Sequence, residues 1–277
     1  MGRPDFLVIG HVAKDLTNGG YRLGGTALYS ALTARNLGRS VGMITCAGAD
    51  VDLSQLLEDV EVVCRPSPVT TTFRNVYQQG RRRQYIHAVA DRIDAKSVPS
   101  RWREAPIVHL GPIAGEFDPD LMSLFPSSFV GLTPQGWLRR WDEQGRVSPC
   151  RWLDSRGFLS RADAVIVSQE DLEGEAGTLR SQLRLSRLAV VTEGPEGATL
   201  HLQGKGYHCP AVESKAVDAT GAGDIFAAAF LVRLAETDDP HEAMRFATAA
   251  ASISVTKVGI ASAPGRGEIE DVMRHAA

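Results

Sequence analysis

Apolar runs recur at 6–10, 41–46, 106–110, 128–132, 163–168 and 188–192, each too short for an ordinary helix and mostly unbroken rather than alternating. A strand that is apolar on both sides has both faces covered, the habit of a parallel sheet packed between layers of helix. Between the first two runs, Ala27, Leu28, Ala31, Leu32 and Ala34 form a helical stripe over Thr26 to Leu37, and Gly38 follows as its C-cap. This β–α–β opening predicts crossover helices on a parallel sheet, with further helices between the later runs. Thr17 to Gly25 reads as an irregular, glycine-rich stretch, and two long helices are predicted at about 222–236 and 240–256. The segment from Val62 to Ala90 breaks the alternation. Thr70 to Tyr77 and Gln84 to Val89 favour strand around the polar stretch Gln78 to Arg83, which predicts an inserted β-hairpin acting as a flap. At 277 residues, with 43% apolar and 23% charged, the chain fits a single α/β domain carrying such an appendage.

Charge and composition exclude several function classes. A net charge of −3 offers no general attraction to nucleic acid or to an anionic membrane. No apolar run reaches the ~18 residues that span a bilayer. Lys14 and Asp15 follow the first apolar run too closely for a signal peptide, so a cytoplasmic protein is expected. The cysteines at 46, 64, 150 and 209 form no CxxC pair, which argues against structural zinc and a disulfide framework.

The stretch from Lys215 to Phe230 carries the chemistry. A strand is expected to end near Val217, and the turn Gly221-Ala222-Gly223 leads directly into an alanine-rich helix. Unpaired N–H groups and the positive end of the dipole at such a helix start suit an anion such as phosphate. Asp224 falls in the first turn, where a carboxylate could take the proton of a hydroxyl attacking that phosphate. The plainer reading is that Asp224 only complements the helix dipole and the glycines only make a turn. Neither a Walker loop nor the dinucleotide GxGxxG fingerprint is present.

Asp218-Ala-Thr-Gly-Ala-Gly-Asp224 resembles the C-terminal signature of the ribokinase-like (PfkB) carbohydrate kinases, usually written DTTGAGD. The resemblance extends along nearly the whole chain. It includes Gly10 to Asp15, Gly24-Gly25 before the first helix, Val191 to Gly197, and Thr256 to Gly259 after an alanine-rich helix. It implies a three-layer α/β/α sandwich with a mainly parallel central sheet and a small β lid, one domain over 1–277 with the lid at about 12–23 and 63–90. It also implies phosphoryl transfer from ATP with Mg²⁺ to a hydroxyl of a small polyol or sugar. Asp224 would be the base, and the N–H groups of Gly221, Ala222 and Gly223 would form the anion hole. Asp15, Gly24 and Gly25 would hold the acceptor. Thr192, Gly194, Thr248 and Gly259 would line the nucleotide. Asp218 and Thr220, with Gly259 and Ser262, would lie where some relatives place a monovalent cation such as K⁺. Unpaired lid edges would favour a homodimer through the lid.

Two positions depart from the family. Its Asn-x-x-Glu motif for metal and phosphate reads Ser168-Gln-Glu-Asp171, which keeps the acid and loses the amide. Tyr29 stands where sugar kinases commonly carry a substrate-binding Asn. With Gly10 to Asp15, Gly111-Pro112, Glu116, and Gln135 to Arg139, the pattern resembles the myo-inositol kinase branch. Tyr29, Gln135, Arg139 and Glu116 are then candidate pocket residues. Arg81 to Arg83 read either as a solvated hairpin tip or as a clamp for a phosphorylated acceptor. His11 reads as a core histidine or a substrate contact, and Trp137 as packing or a stacking platform. A nucleoside or phosphosugar kinase of the same fold is the nearest rival function. A non-catalytic nucleotide- or sugar-binding regulator is the rival from another class.

Overall fold

The structure is a computed structural model that describes residues 2–54, 57–78, 81–152, 155–172 and 182–275. At its centre β1 (Phe6–Ile9) lies between β4 (Val41–Ala47) and β8 (Ile107–Leu110), parallel to both. The sheet continues through β5 (Val60–Pro66) on one side. On the other it continues through β9 (Phe129–Leu132), β12 (Ala164–Ser168), β13 (Leu188–Thr192), β14 (Ala198–Leu202) and β15 (Lys205–Cys209). Only the last two strands run antiparallel to their neighbours. The sandwich expected from the apolar runs is therefore present, ending in an antiparallel hairpin that those runs do not predict.

Alternation along each strand divides the core in two. Phe6, Val8, Met43, Ile166 and Val190 face one layer, made by α1 (Thr26–Asn36) with α4 (Ala222–Thr237) and α5 (Pro240–Ser254). Leu7, Ile9, Ile44, Val165 and Val191 face the other, where Trp102, Phe117, Phe125, Trp152 and Phe158 fill the space. Among the described residues that second layer contains short 3₁₀ turns with the brief α2 (Ser155–Leu159) and α3 (Gln169–Leu172), on the side where the strand spacing predicts crossover helices. Helix α4 is buried from Ile225 to Val232 because it lies between the sheet, α1 and α5. Each large apolar side chain so buried contributes roughly 1.5–3 kcal/mol. A last helix, α6 (Arg266–His275), packs on α5 and follows the two long helices expected at the end of the chain.

The lid is a four-stranded sheet in the order β3-β2-β6-β7, from β2 (Ala13–Thr17), β3 (Gly20–Gly24), β6 (Thr71–Gln78) and β7 (Arg81–Ala88). The stretch at 17–25 that reads as irregular is thus largely strand, its turn tightened by glycine. The lid boundary also moves. Val60–Pro66 pairs with Val41–Ala47 in the main sheet, so the second lid segment begins near residue 71 rather than 63. A ribbon of β10 (Arg139–Trp141) and β11 (Val147–Pro149) abuts β7 through a bridge between Tyr85 and Arg146. No strand is present near Val217. There the chain is irregular, and the Val217 and Asp218 N–H groups both donate to the Val255 carbonyl. No helix among the described residues is long and apolar enough to cross a membrane.

Candidate active site

Strands of the parallel part end on one edge of the sheet, and the site forms there. The start of α4 supplies its floor. Gly221 adopts φ +82°, a conformation that strains any L side chain. A Cβ there would also lie 2.6 Å from three atoms of the Tyr29 ring, so the tyrosine packs directly against the turn. Among the described residues no backbone carbonyl accepts from the N–H groups of Gly221, Gly223 or Asp224, while Ala222 N–H donates to the Ala219 carbonyl at 3.3 Å. Of the three residues expected to form an anion hole, Gly221 and Gly223 thus have N–H groups without a backbone acceptor, and Ala222 is already engaged.

Asp224 sits in the first turn of α4, and its Oδ1 accepts from the Thr26 hydroxyl at 2.6 Å. Desolvation pushes its pKa up to about 6. The Thr26 bond and the charge of Arg139 act against that rise, and Asp171 and Asp15 add to it. A carboxylate with this pKa is ionised at neutral pH and is still basic enough to take a proton in transfer. In the sequence Thr26 reads only as the start of a helix. Its place directly after the Gly24-Gly25 turn is the signal that it points at the site.

The acceptor side joins the lid to α1. Gly25 has φ +91° and caps α1, and a Cβ at Gly24 would lie 2.8 Å from Asp15 Oδ2, so the turn fits closely around that carboxylate. Asp15 pairs in register with Arg22 on β3 and with Phe73 on β6, which places all three on the inner lid face. Tyr29 is buried, and its phenol is held well above its ordinary pKa by burial first, then by Asp15, Asp224 and Asp218. It is a neutral hydroxyl among carboxylates. Gln135 lies on the short turn after β9, four residues before Arg139. Arg139 donates to Gln84 of the lid and to Asp171, both at 3.1 Å.

On the donor side, Ser168 and Thr192 are register partners at the ends of β12 and β13. The Ser168 hydroxyl accepts from Glu170 N–H, and Asp171 is taken up by Arg139. These two residues do not present the open pair that a metal-and-phosphate role calls for. Gly194 and Gly259 are both in the left-handed region, at φ +59° and +63°, so each makes a turn at the rim. Thr248 is buried in α5 with its hydroxyl unpartnered. Asp218 Oδ1 accepts from Thr220 N–H, and its Oδ2 lies 3.5 Å from the Arg22 guanidinium. Ser262 is buried with an unpartnered hydroxyl. No group of three or more His, Cys, Asp or Glu is placed to hold a metal ion among the described residues.

Other candidates take structural roles. Glu116 accepts from the N–H groups of His11, Ile113 and Ala114, so it staples a loop rather than facing a ligand. His11 is buried, with both ring nitrogens bonded, to Thr71 and to the Asp91 carbonyl. Trp137 packs among Phe117, Trp152 and Phe158. Arg83 is exposed and falls on the lid face opposite Gln84; the side chains of Arg81 and Arg82 lie outside the described residues.

Residues 156–265 match the pfkB family of carbohydrate kinases. The chain is 40% identical to a Bacillus subtilis ribokinase over 109 residues, 36% of this chain and 37% of that protein. It is 29% identical to an Escherichia coli fructokinase over 192 residues, 61% of each. Both matches span less than two thirds of the relative's length. Among solved structures, a pyrophosphate-dependent kinase of the ribokinase family, complexed with a pyrophosphate analog and myo-inositol, superposes with a TM-score of 0.81. It is 27% identical, over 96% of this chain and 99% of that one. A Thermotoga maritima ribokinase superposes at 0.75 with 23% identity, covering 97% of this chain and 99% of its own.

Proposed function

From a chain that carries a pfkB-family domain on a ribokinase-like fold, we propose that this protein is a kinase transferring a terminal phosphoryl group to a hydroxyl of a sugar or cyclitol. ATP with Mg²⁺ is the donor in this reading, and myo-inositol the leading acceptor. The observation that carries it is Asp224, held by the Thr26 hydroxyl at 2.6 Å in the first turn of α4, beside Gly221 and Gly223, whose N–H groups meet no backbone acceptor. The acceptor hydroxyl gives its proton to Asp224 as its oxygen bonds to phosphorus. The bond from phosphorus to the bridging oxygen breaks, and that oxygen leaves with the donor remainder. Charge developing on the equatorial oxygens meets the N–H groups of Gly221 and Gly223. Thr26 holds Oδ1 of Asp224, which leaves Oδ2 to face the acceptor. Mg²⁺, when bound with the donor, supplies charge neutralisation at the phosphates.

Myo-inositol as acceptor is supported by the neighbour complexed with it and by the setting of the Tyr29 hydroxyl among Asp15, Asp224 and Asp218. That neighbour also supports a second reading of the donor. Pyrophosphate, like ATP, presents a terminal phosphoryl on a phosphate leaving group, and the Gly221 turn serves either. A monovalent cation at Asp218 and Thr220 is supported by the unpartnered Ser262 hydroxyl and opposed by the guanidinium of Arg22 at Asp218. Exposed Leu16 and Tyr21, register partners on the outer lid face, support a homodimer through the lid.

The test is a two-way panel. ATP and pyrophosphate are each offered with myo-inositol, other cyclitols, ribose, fructose, fructose phosphates and nucleosides, with Asp224→Asn as control. Turnover on one acceptor that the control abolishes establishes the kinase. Turnover confined to a nucleoside or phosphosugar removes the cyclitol, and turnover with pyrophosphate alone removes ATP. Donor binding without turnover on any acceptor favours the regulator.

A further inference from the structure

Arg139 joins three parts of the molecule. It opens the ribbon strand β10, its Nη1 donates to Gln84 on lid strand β7, and its Nη2 donates to Asp171 after β12, each at 3.1 Å. Gln84 cannot flip freely within this arrangement, because its own Nε2 donates to Asn75 Oδ1 at 3.1 Å and so directs Oε1 to the arginine. The ion pair is well enclosed, with side-chain exposures of 14% for Arg139 and 9% for Asp171, so it is not one of the solvated surface pairs that contribute little. Its charge is felt at Asp224, as is that of Asp171. A group that acts on Asp224 through space also acts on a phosphoryl group lying between Asp224 and the Gly221 turn.

Arg22, at Asp218, is a second arginine, and acidic groups outnumber the two. Asp15, Asp218 and Asp224 all bear on the Tyr29 hydroxyl, and Asp15 and Asp171 bear on Asp224. A donor adds several further negative charges. The residues expected to organise metal and phosphate are committed elsewhere, Ser168 to a backbone N–H and Asp171 to Arg139. We propose that Arg139 is a catalytic residue that binds and neutralises the phosphoryl group in transfer, and that Asp171 and lid residue Gln84 are the positioning residues that hold it there. A planar guanidinium suits this work because it is always charged and matches phosphate oxygens in geometry. Since one of its two anchors belongs to the lid, the charge is set in place when the lid is down. The inference rests on the kinase reading but departs from an acceptor-binding role for Arg139.

The experiment compares Arg139→Met, Arg139→Lys and Gln84→Met with the unaltered protein, by calorimetric titration with inorganic pyrophosphate and Mg²⁺ and by steady-state kinetics. Arg139→Met is expected to bind pyrophosphate about 10-fold more weakly and to lose about 100-fold in kcat, with the KM for the acceptor within about 2-fold. Arg139→Lys keeps the charge without the fork and should fall between. Gln84→Met should bind pyrophosphate normally and lose kcat, because only the lid anchor is gone. It and Arg139→Lys decide the matter if loss of the Asp171 partner leaves Arg139→Met poorly folded. Unchanged pyrophosphate affinity and kcat with a raised acceptor KM would overturn the proposal and make Arg139 an acceptor contact. If the unaltered protein phosphorylates nothing, the kinase reading fails, and the pyrophosphate titrations still decide whether Arg139 binds phosphate.

Discussion

The Thr26 hydroxyl donates to Oδ1 of Asp224 across 2.6 Å, tying the first residue of α1 to the first turn of α4. The bond favours the ionised carboxylate and so opposes the rise in pKa that burial causes. Replacing Thr26 by Val keeps the shape and removes the donor. Its pH–rate profile should move to higher pH, with a larger loss of rate at pH 6.5 than at pH 8.5, and Thr26→Ser should restore it. An unshifted profile in Thr26→Val would show that the bond does not tune the base.

Asp224 must be ionised to act, so activity is lost as pH falls through its pKa. The acid limb of kcat/KM is expected at about pH 6, set mainly by desolvation. Asp224→Asn should lower kcat by ~100-fold or more and leave donor binding intact. A limb near pH 4 would mean that the carboxylate is better solvated in solution than its surroundings indicate.

Gly221→Ala meets two obstacles at once. The backbone at φ +82° costs a non-glycine residue roughly 1–3 kcal/mol, and the added methyl falls 2.6 Å from the Tyr29 ring. Expected are a lower melting temperature and a kcat reduced along with it, as the N–H groups of the turn shift. Tyr29→Phe removes only the hydroxyl. It should melt like the unaltered protein and raise the acceptor KM, whereas an unchanged KM would make Tyr29 a packing residue alone.

His109 is fully buried on β8, bonded through Nε2 to the Thr133 hydroxyl, and desolvation pushes its pKa down to about 3. An unfolded chain takes up this proton near pH 6.5 and the folded one does not. The stability that depends on a neutral His109 is therefore present above pH 6.5 and is lost as pH falls from there towards 3, by up to about 1.4 kcal/mol per pH unit. Denaturant melts at pH 7.5, 6.0 and 5.0 should show a shallower pH dependence for His109→Gln than for the unaltered protein. Equal slopes would show that the site readily admits the proton.

Period and chemistry make much of the fold and site legible in the chain itself. Unbroken apolar runs mark the parallel strands because a strand covered on both faces needs no polar side, and β1, β4, β8, β9, β12 and β13 all fall on them. The Gly221 turn is readable because only glycine suits its left-handed backbone beside Tyr29, and Asp224 because it follows directly in the first turn of the helix. What stays hidden is set by distant partners. Gly20 to Gly24 forms a strand only because β2 lies beside it. Val60–Pro66 joins the core rather than the lid because β4 offers it a full edge. Lys205–Cys209 is polar enough to pass for loop, and pairing with β14 makes it a strand. Glu116 resembles a ligand-facing carboxylate, and only the fold shows three N–H groups converging on it. Gln84 gives no signal at all, since its partner is an arginine 55 positions away.

The seam between β2 and β6 sets Ala13 beside Thr71, with α1, β4 and β5 all falling in the chain between them. Such a contact of high sequence separation is slow to form, because a long stretch of chain must be ordered before it repays the loss of freedom. The bond from Thr26 to Asp224 closes a longer loop still, 198 positions, so by loop length the roof of the site pairs before its floor is tied together. The setting of the carboxylate is then the last part of the site to assemble, which makes the environment of Asp224 a late marker of refolding.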